Sequence, residues 1–240
     1  PCQSLRRQLS GQICEEMKMK HPYTGILSSL DAVKDTLLQV CVYHDILGEY
    51  GAVVVLDDTP DQQLDKLAGL AQFAKKKAVM LPLIVSRSFI VSSLDSYPLE
   101  FINIISSDKE NLMCMEDLLS NLQFGKADVR LQMEREFKSK WLLTRQSTLE
   151  AAGRSRHLRE TLRMSVRAII PAIKGFFFLA GHPYPHTLDQ LLDQAELITG
   201  IDLKILGTGL REQNIGTNDV QRYLSILQRL IDFMESYQGQ

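Results

Sequence analysis

Cysteine is scarce in this chain. Cys2, Cys14, Cys41 and Cys114 are far apart, with no C-x-x-C pair and no spacing that would gather metal ligands. That pattern excludes a disulfide-framed secreted scaffold and a zinc-ribbon type of site, and it reads as reduced thiols in a cytoplasmic protein. Long apolar runs are missing too. The longest, residues 168–181, contains Pro171 and Lys174 and falls short of the roughly 18 residues that a membrane span needs. Charges at Arg6, Arg7, Glu15, Glu16, Lys18 and Lys20 run through the N-terminal stretch, so it does not read as a secretory signal. A net charge of −2 gives no global pull toward nucleic acid or a membrane surface. There is no repeat, no low-complexity tract, no P-loop, no G-x-G-x-x-G and no G-x-S-x-G nucleophile elbow.

The chain has 240 residues, 45% hydrophobic and 23% charged, an ordinary balance for one or two globular domains. Leu5, Leu9, Ile13 and Met17 predict an amphipathic helix over residues 4–20, and a second short helix is expected over 27–34. Two apolar runs, 38–43 and the valine-rich 52–56, predict strands. Residues 61–77 read as a helix whose Lys75, Lys76 and Lys77 suit its C-terminal end. A third strand is expected over 79–85, at an edge or a bulge because of Pro82. A short helix is expected over 88–94 and a fourth strand over 99–105, and the polar stretch 108–121 reads as part helical. From Phe124 onward the pattern is helical. Long helices are predicted over 128–152 and 154–180, the second kinked at Pro171, and shorter ones over 187–199 and 219–237. Gly207-Thr208-Gly209 reads as a loop, and Phe176-Phe177-Phe178 as core. His182 and His186 are four apart, but Pro183 and Pro185 forbid the helix that would pair them on a metal.

Charge is unevenly divided. Residues 124–182 carry twelve Lys and Arg against five Asp and Glu, and the remainder carries fifteen against twenty-four. Arg156, Arg159, Arg163 and Arg167 are spaced 3, 4 and 4 and so line one helix face. Leu158, Leu162, Ile169 and Ile173 occupy another. Such a row suits phosphate, because each guanidinium can form a forked pair of hydrogen bonds. A solvated face, or one paired with the acidic remainder, is the plainer reading.

The order strand, Gly48-Glu49-Tyr50, strand resembles the start of the nucleotidyltransferase superfamily that includes DNA polymerase beta. The likeness continues in Tyr97-Pro98-Leu99-Glu100-Phe101-Ile102-Asn103-Ile104, in Leu131-Gln132-Met133-Glu134-Arg135-Glu136 with Lys140, and in Leu149-Glu150-Ala151-Ala152-Gly153. Over roughly residues 38–181 the chain is similar to bacterial nucleotidyltransferase-like proteins with a helical C-terminal domain. The resemblance implies an α+β protein: a small mixed-sheet domain over residues 1–122, then an all-helical bundle over 123–240.

The catalytic wording departs from that family. His44-Asp45 stands where the family has Gly-Ser, and Gly51-Ala52-Val53 stands where its acidic strand begins. The residues that would bring the first acid are missing between Tyr50 and Gly51. Asp57 and Asp58 follow the second strand and, being adjacent, point to opposite faces, which suits the turn into Pro60 better than a metal pair. The resemblance therefore implies a degenerate domain that binds a nucleotide or phosphate through Lys140, Arg156, Arg159 and Arg163, without a standard metal site. Two alternatives stay open. One is an active enzyme using magnesium and a nucleoside triphosphate, with Asp45, Asp57 and Glu100 as its acids. The other is a ligand-free interaction protein that forms a homodimer through its helical half. Nucleic acid and membrane are not expected partners.

Overall fold

The computed structural model describes residues 20–57 and 60–237. The helix expected over 4–20 lies outside them but for Lys20, as do Cys2, Cys14 and Asp58. The fold is α+β with one four-stranded mixed sheet. The described chain separates into two compact units: a sheet unit of residues 20–44, 50–57, 60–87 and 108–117, and a helical unit of 45–49, 88–107 and 118–237.

The sheet unit is built on β1 (Leu37–His44) and β2 (Tyr50–Leu56), an antiparallel pair. Seven β-branched or aromatic residues among Val40, Val42, Tyr43, Tyr50, Val53, Val54 and Val55 favour a pleated backbone here. β3 (Leu83–Ser86) runs parallel to β2, and β4 (Asp108–Cys114) runs antiparallel to β1, in the order β3-β2-β1-β4. Tyr50 and Gly51 are consecutive residues of β2, opposite His44 and Tyr43. Gly51 is needed there, because a Cβ would meet the Tyr43 ring at 2.3 Å. One sheet face packs Val40, Val42, Ala52, Val54 and Leu56 against Tyr23, Ile26, Leu30 and Val33 of a 3-10 helix (Ile26–Thr36) and against Leu67 and Leu70. Leu70 belongs to α1 (Ala68–Lys77), which follows a separate 3-10 turn at Pro60–Gln63 where the sequence predicted one helix.

Three other expectations are corrected. The strand expected over 79–85 is confined to β3, an edge strand, and Pro82 lies just before it. Residues 108–121 supply β4, not a helix; its charged Asp108, Lys109 and Glu110 suit an exposed edge that must not recruit further strands. Residues 99–105 form a helix, not a strand. A short α2 (Arg87–Ser92) precedes that helix, α3 (Pro98–Ile105). Pro98 opens α3 at a position whose N–H would be unpaired anyway. The Leu99 N–H, an orphan donor of the first turn, is met by Gln132 Oε1 at 2.8 Å.

The helical unit centres on two 26-residue helices, α4 (Lys126–Ala151) and α5 (Ser155–Ala180), joined by a turn through Ala152 and Gly153, both in the left-handed region. α6 (Leu188–Thr199), α7 (Lys204–Arg211) and α8 (Thr217–Ser236) complete it. Gly207-Thr208-Gly209 lies inside α7 and not in a loop; Gly209 faces Leu162 and Val166 so closely that a Cβ would meet Leu162 at 3.0 Å. α5 stays helical through Pro171, although proline leaves the Arg167 carbonyl without its usual donor. Phe176 stacks on Phe137 and meets Phe233 edge-on, at 5.9 and 5.6 Å between centroids. Phe176 and Phe177 are core, as the sequence suggests. Among the described residues, no helix is long and apolar enough to cross a membrane.

Candidate functional site

The three candidate acids are each engaged in local structure. Asp45 opens the five-residue connector between β1 and β2. Its Oδ1 accepts from the Leu47 and Glu49 N–H groups at 2.9 and 2.8 Å, and its own N–H donates to the Glu49 carbonyl at 2.8 Å. This is the side-chain turn that Asp forms readily, closed by Gly48 at φ 81. Asp57 follows β2 and pairs with Arg87 Nε at 3.2 Å, while Arg87 also grips Glu116 with two nitrogens at 2.6 and 3.1 Å. Glu100 lies in the first turn of α3, where the helix dipole favours a carboxylate, and accepts from Gln132 Nε2 at 2.7 Å. Among the described residues, no three His, Cys, Asp or Glu side chains come together as a metal-ligand cluster.

The candidate cations are spread over α4 and α5. Arg156 and Arg163 are exposed on α5, and Arg159 donates to Gln213 Oε1 at 2.8 Å. The fourth arginine of the row, Arg167, pairs with Glu49 of the connector. Lys140, on α4, stands 3.7 Å from Glu136 one turn earlier. It lines a groove of about 600 Å³ between α4 and α5, a size usual for small-molecule sites.

The α5 wall of that groove is made by His157, Thr161, Met164 and Ala168. His157, Met164 and Ala168 are each one residue on from a member of the arginine row, which is about 100° round the helix. Arg156, Arg159 and Arg163 are therefore not among its lining residues, whereas Arg154 and His157 are. Arg154 also donates to the Ala151 and Glu150 carbonyls at 3.1 and 3.2 Å, closing the end of α4. Leu143 and Met164 give an apolar wall, half or more exposed, and Glu150 and Glu160 add two carboxylates. The floor holds buried hydroxyls: Thr144 Oγ1 donates to Ser165 Oγ at 2.6 Å, and Ser165 Oγ lies 2.8 Å from Tyr223 OH. Burial pushes the Tyr223 hydroxyl far above its usual pKa, so it stays neutral.

A second recess, of about 300 Å³, is lined by Asp45, Leu47, Glu49, Arg167 and again Met164 and Ala168. The two depressions thus have Met164 and Ala168 of α5 in common. Two turns beyond Arg167, Lys174 is 1% exposed and donates to Asn103 Oδ1 at 2.9 Å. Burial pulls its ammonium down to about 8, and the Asp45 carboxylate works against that by favouring the charge. The sequence signalled Lys174 only as one charge inside an apolar stretch, a placement that requires a partner. Arg154 and His157 gave no comparable signal, since the partner helix decides which α5 face is enclosed. No protein-family profile matches the chain, and no curated protein matches it.

Proposed function

We propose that this protein is a degenerate nucleotidyltransferase-like protein that binds a nucleotide or a related phosphate-bearing ligand without the two-metal reaction of that superfamily. The observation that carries the reading is a contrast between acids and cations. Asp45, Asp57 and Glu100 are each held by their own turn, a strand-end arginine or a neighbouring glutamine. Lys140, Arg154 and His157 come together along one open groove of small-molecule size, although Lys140 also faces Glu136 and Arg154 also bonds the end of α4. Two-metal chemistry needs carboxylates that converge on cations a few ångströms apart; anion binding needs only forked or point cations beside a surface for the rest of the ligand. The apolar Leu143 and Met164 offer that surface to a base, and the Thr144 and Ser165 hydroxyls offer hydrogen bonds to it or to a sugar.

The test is a thermal-shift screen of ATP, GTP, CTP and UTP, each with magnesium and with a chelator. A ligand at 100 times its dissociation constant adds about 2.7 kcal/mol of stability, which is visible as a raised melting temperature. A shift that survives chelation supports the reading. A shift seen only with magnesium favours the active enzyme. No shift with any nucleotide at millimolar concentration counts against binding altogether.

A further inference from the structure

Resting on that reading, we infer that Arg167, together with Lys140, holds the phosphate of the ligand, and that Glu49 is the resident carboxylate which the phosphate displaces. The placement follows from the helix pair. α4 and α5 are joined by a tight turn and run antiparallel, and Thr144 meets Ser165 across them. One turn back along α4 from Thr144 is Lys140, and one turn forward along α5 from Ser165 are Ala168 and Ile169. Lys140 thus stands at the Ala168 end of the groove, and Met164 and Ala168 also line the smaller recess. Arg167 lines that recess and Lys140 lines the groove, so one guanidinium and one ammonium stand in depressions that share Met164 and Ala168. Arg167 is the one member of the row Arg156, Arg159, Arg163 and Arg167 that lines either depression.

The partner of Arg167 fits a displaceable role. Glu49 and Arg167 keep 41% and 30% of their side-chain surface exposed, so the ion pair is screened and weak. A phosphate offers the same guanidinium a forked pair of stronger, charge-assisted bonds. Glu49 is held in reach by the connector: the Asp45 carboxylate accepts the Glu49 N–H, and the Asp45 N–H donates to the Glu49 carbonyl. The Glu49 side chain itself contributes no bond to that turn, so it can swing aside while the turn persists. Asp45 also lines the recess, and its negative charge faces the buried ammonium of Lys174.

The experiment is calorimetric titration of inorganic pyrophosphate and of ATP into the wild-type chain and into Glu49→Gln, Arg167→Lys and Arg167→Gln, with circular dichroism confirming that each variant is folded. Removing a half-exposed competing carboxylate should tighten binding by about two- to fivefold in Glu49→Gln. Arg167→Gln should weaken it by about tenfold or more, and Arg167→Lys, which keeps the charge and loses the fork, should fall between. Unchanged or weaker binding by Glu49→Gln, with the wild type binding measurably, overturns this inference and leaves nucleotide binding standing. Binding by Glu49→Gln alone supports it. Binding by neither protein overturns both readings.

Discussion

In the sheet unit, Arg87 lies between Asp57 and Glu116, three charged groups that follow β3, β2 and β4 and tie those strand ends together. In the helical unit, Lys140, Arg154 and His157 line a groove, and Lys174 is sealed into the core beside Asn103. The first arrangement neutralises charge locally and exposes the pairs to water. The second carries charge where it costs stability or waits beside an open surface. Paired, solvated charges of the first kind contribute little and are replaceable. Lys174 persists against its desolvation cost, and the groove cations stand beside an open surface that can take a ligand.

The sharpest break between the two is expected at Lys174. Its folded-state pKa, about 8, is depressed from the ordinary value of 10.5. The unfolded chain therefore binds more protons than the folded one between those two values, so this group makes stability rise with pH there. The penalty is fully present below pH 8 and relieved above 10.5. At about 1.4 kcal/mol per pH unit the span is about 3 kcal/mol. Urea denaturation of the wild type and Lys174→Met from pH 7 to 10.5 should show this rise in the wild type and lose it in the variant. Equal slopes would contradict the buried-charge assignment.

A smaller effect is expected in the sheet unit at Gly51, where an added methyl collides with the Tyr43 ring. Gly51→Ala should cost about 1–3 kcal/mol, the usual range for forcing a group into filled space. Adding Tyr43→Ala should recover part of that loss, giving a non-additive double-mutant cycle. The smallest effect is expected from Arg87→Ala. With its partners half exposed, the loss should stay within about 1 kcal/mol by chemical denaturation. A much larger loss would mean that the strand-end charges are no more dispensable than those of the helical unit.

Much of this arrangement is legible in the chain. The valine runs at β1 and β2 and the apolar spacing of α5 specify those elements, because their local patterns agree with the faces they bury. Residues 99–105 were misleading: a short run rich in Ile and Phe suits a strand, and Pro98 was the only local sign of a helix start. β4 was hidden for the opposite reason, since an edge strand can be polar when only one neighbour pairs with it. The candidate site was legible in kind and displaced in detail. The arginine row marks α5 as basic, but the enclosed face is the neighbouring one, with His157, Thr161, Met164 and Ala168. Only the approach of α4 determines that, and a single-helix pattern contains no record of it. The connector Asp45–Glu49 likewise reads as a bare turn until Glu49 is seen beside Arg167.

The most direct test of the central claim is calorimetric titration of ATP into the wild-type chain and Lys140→Gln, each with magnesium and with excess chelator. Saturable binding that persists in chelator and is weakened severalfold by Lys140→Gln is expected. Binding abolished by chelator, or no binding under either condition, would contradict the claim.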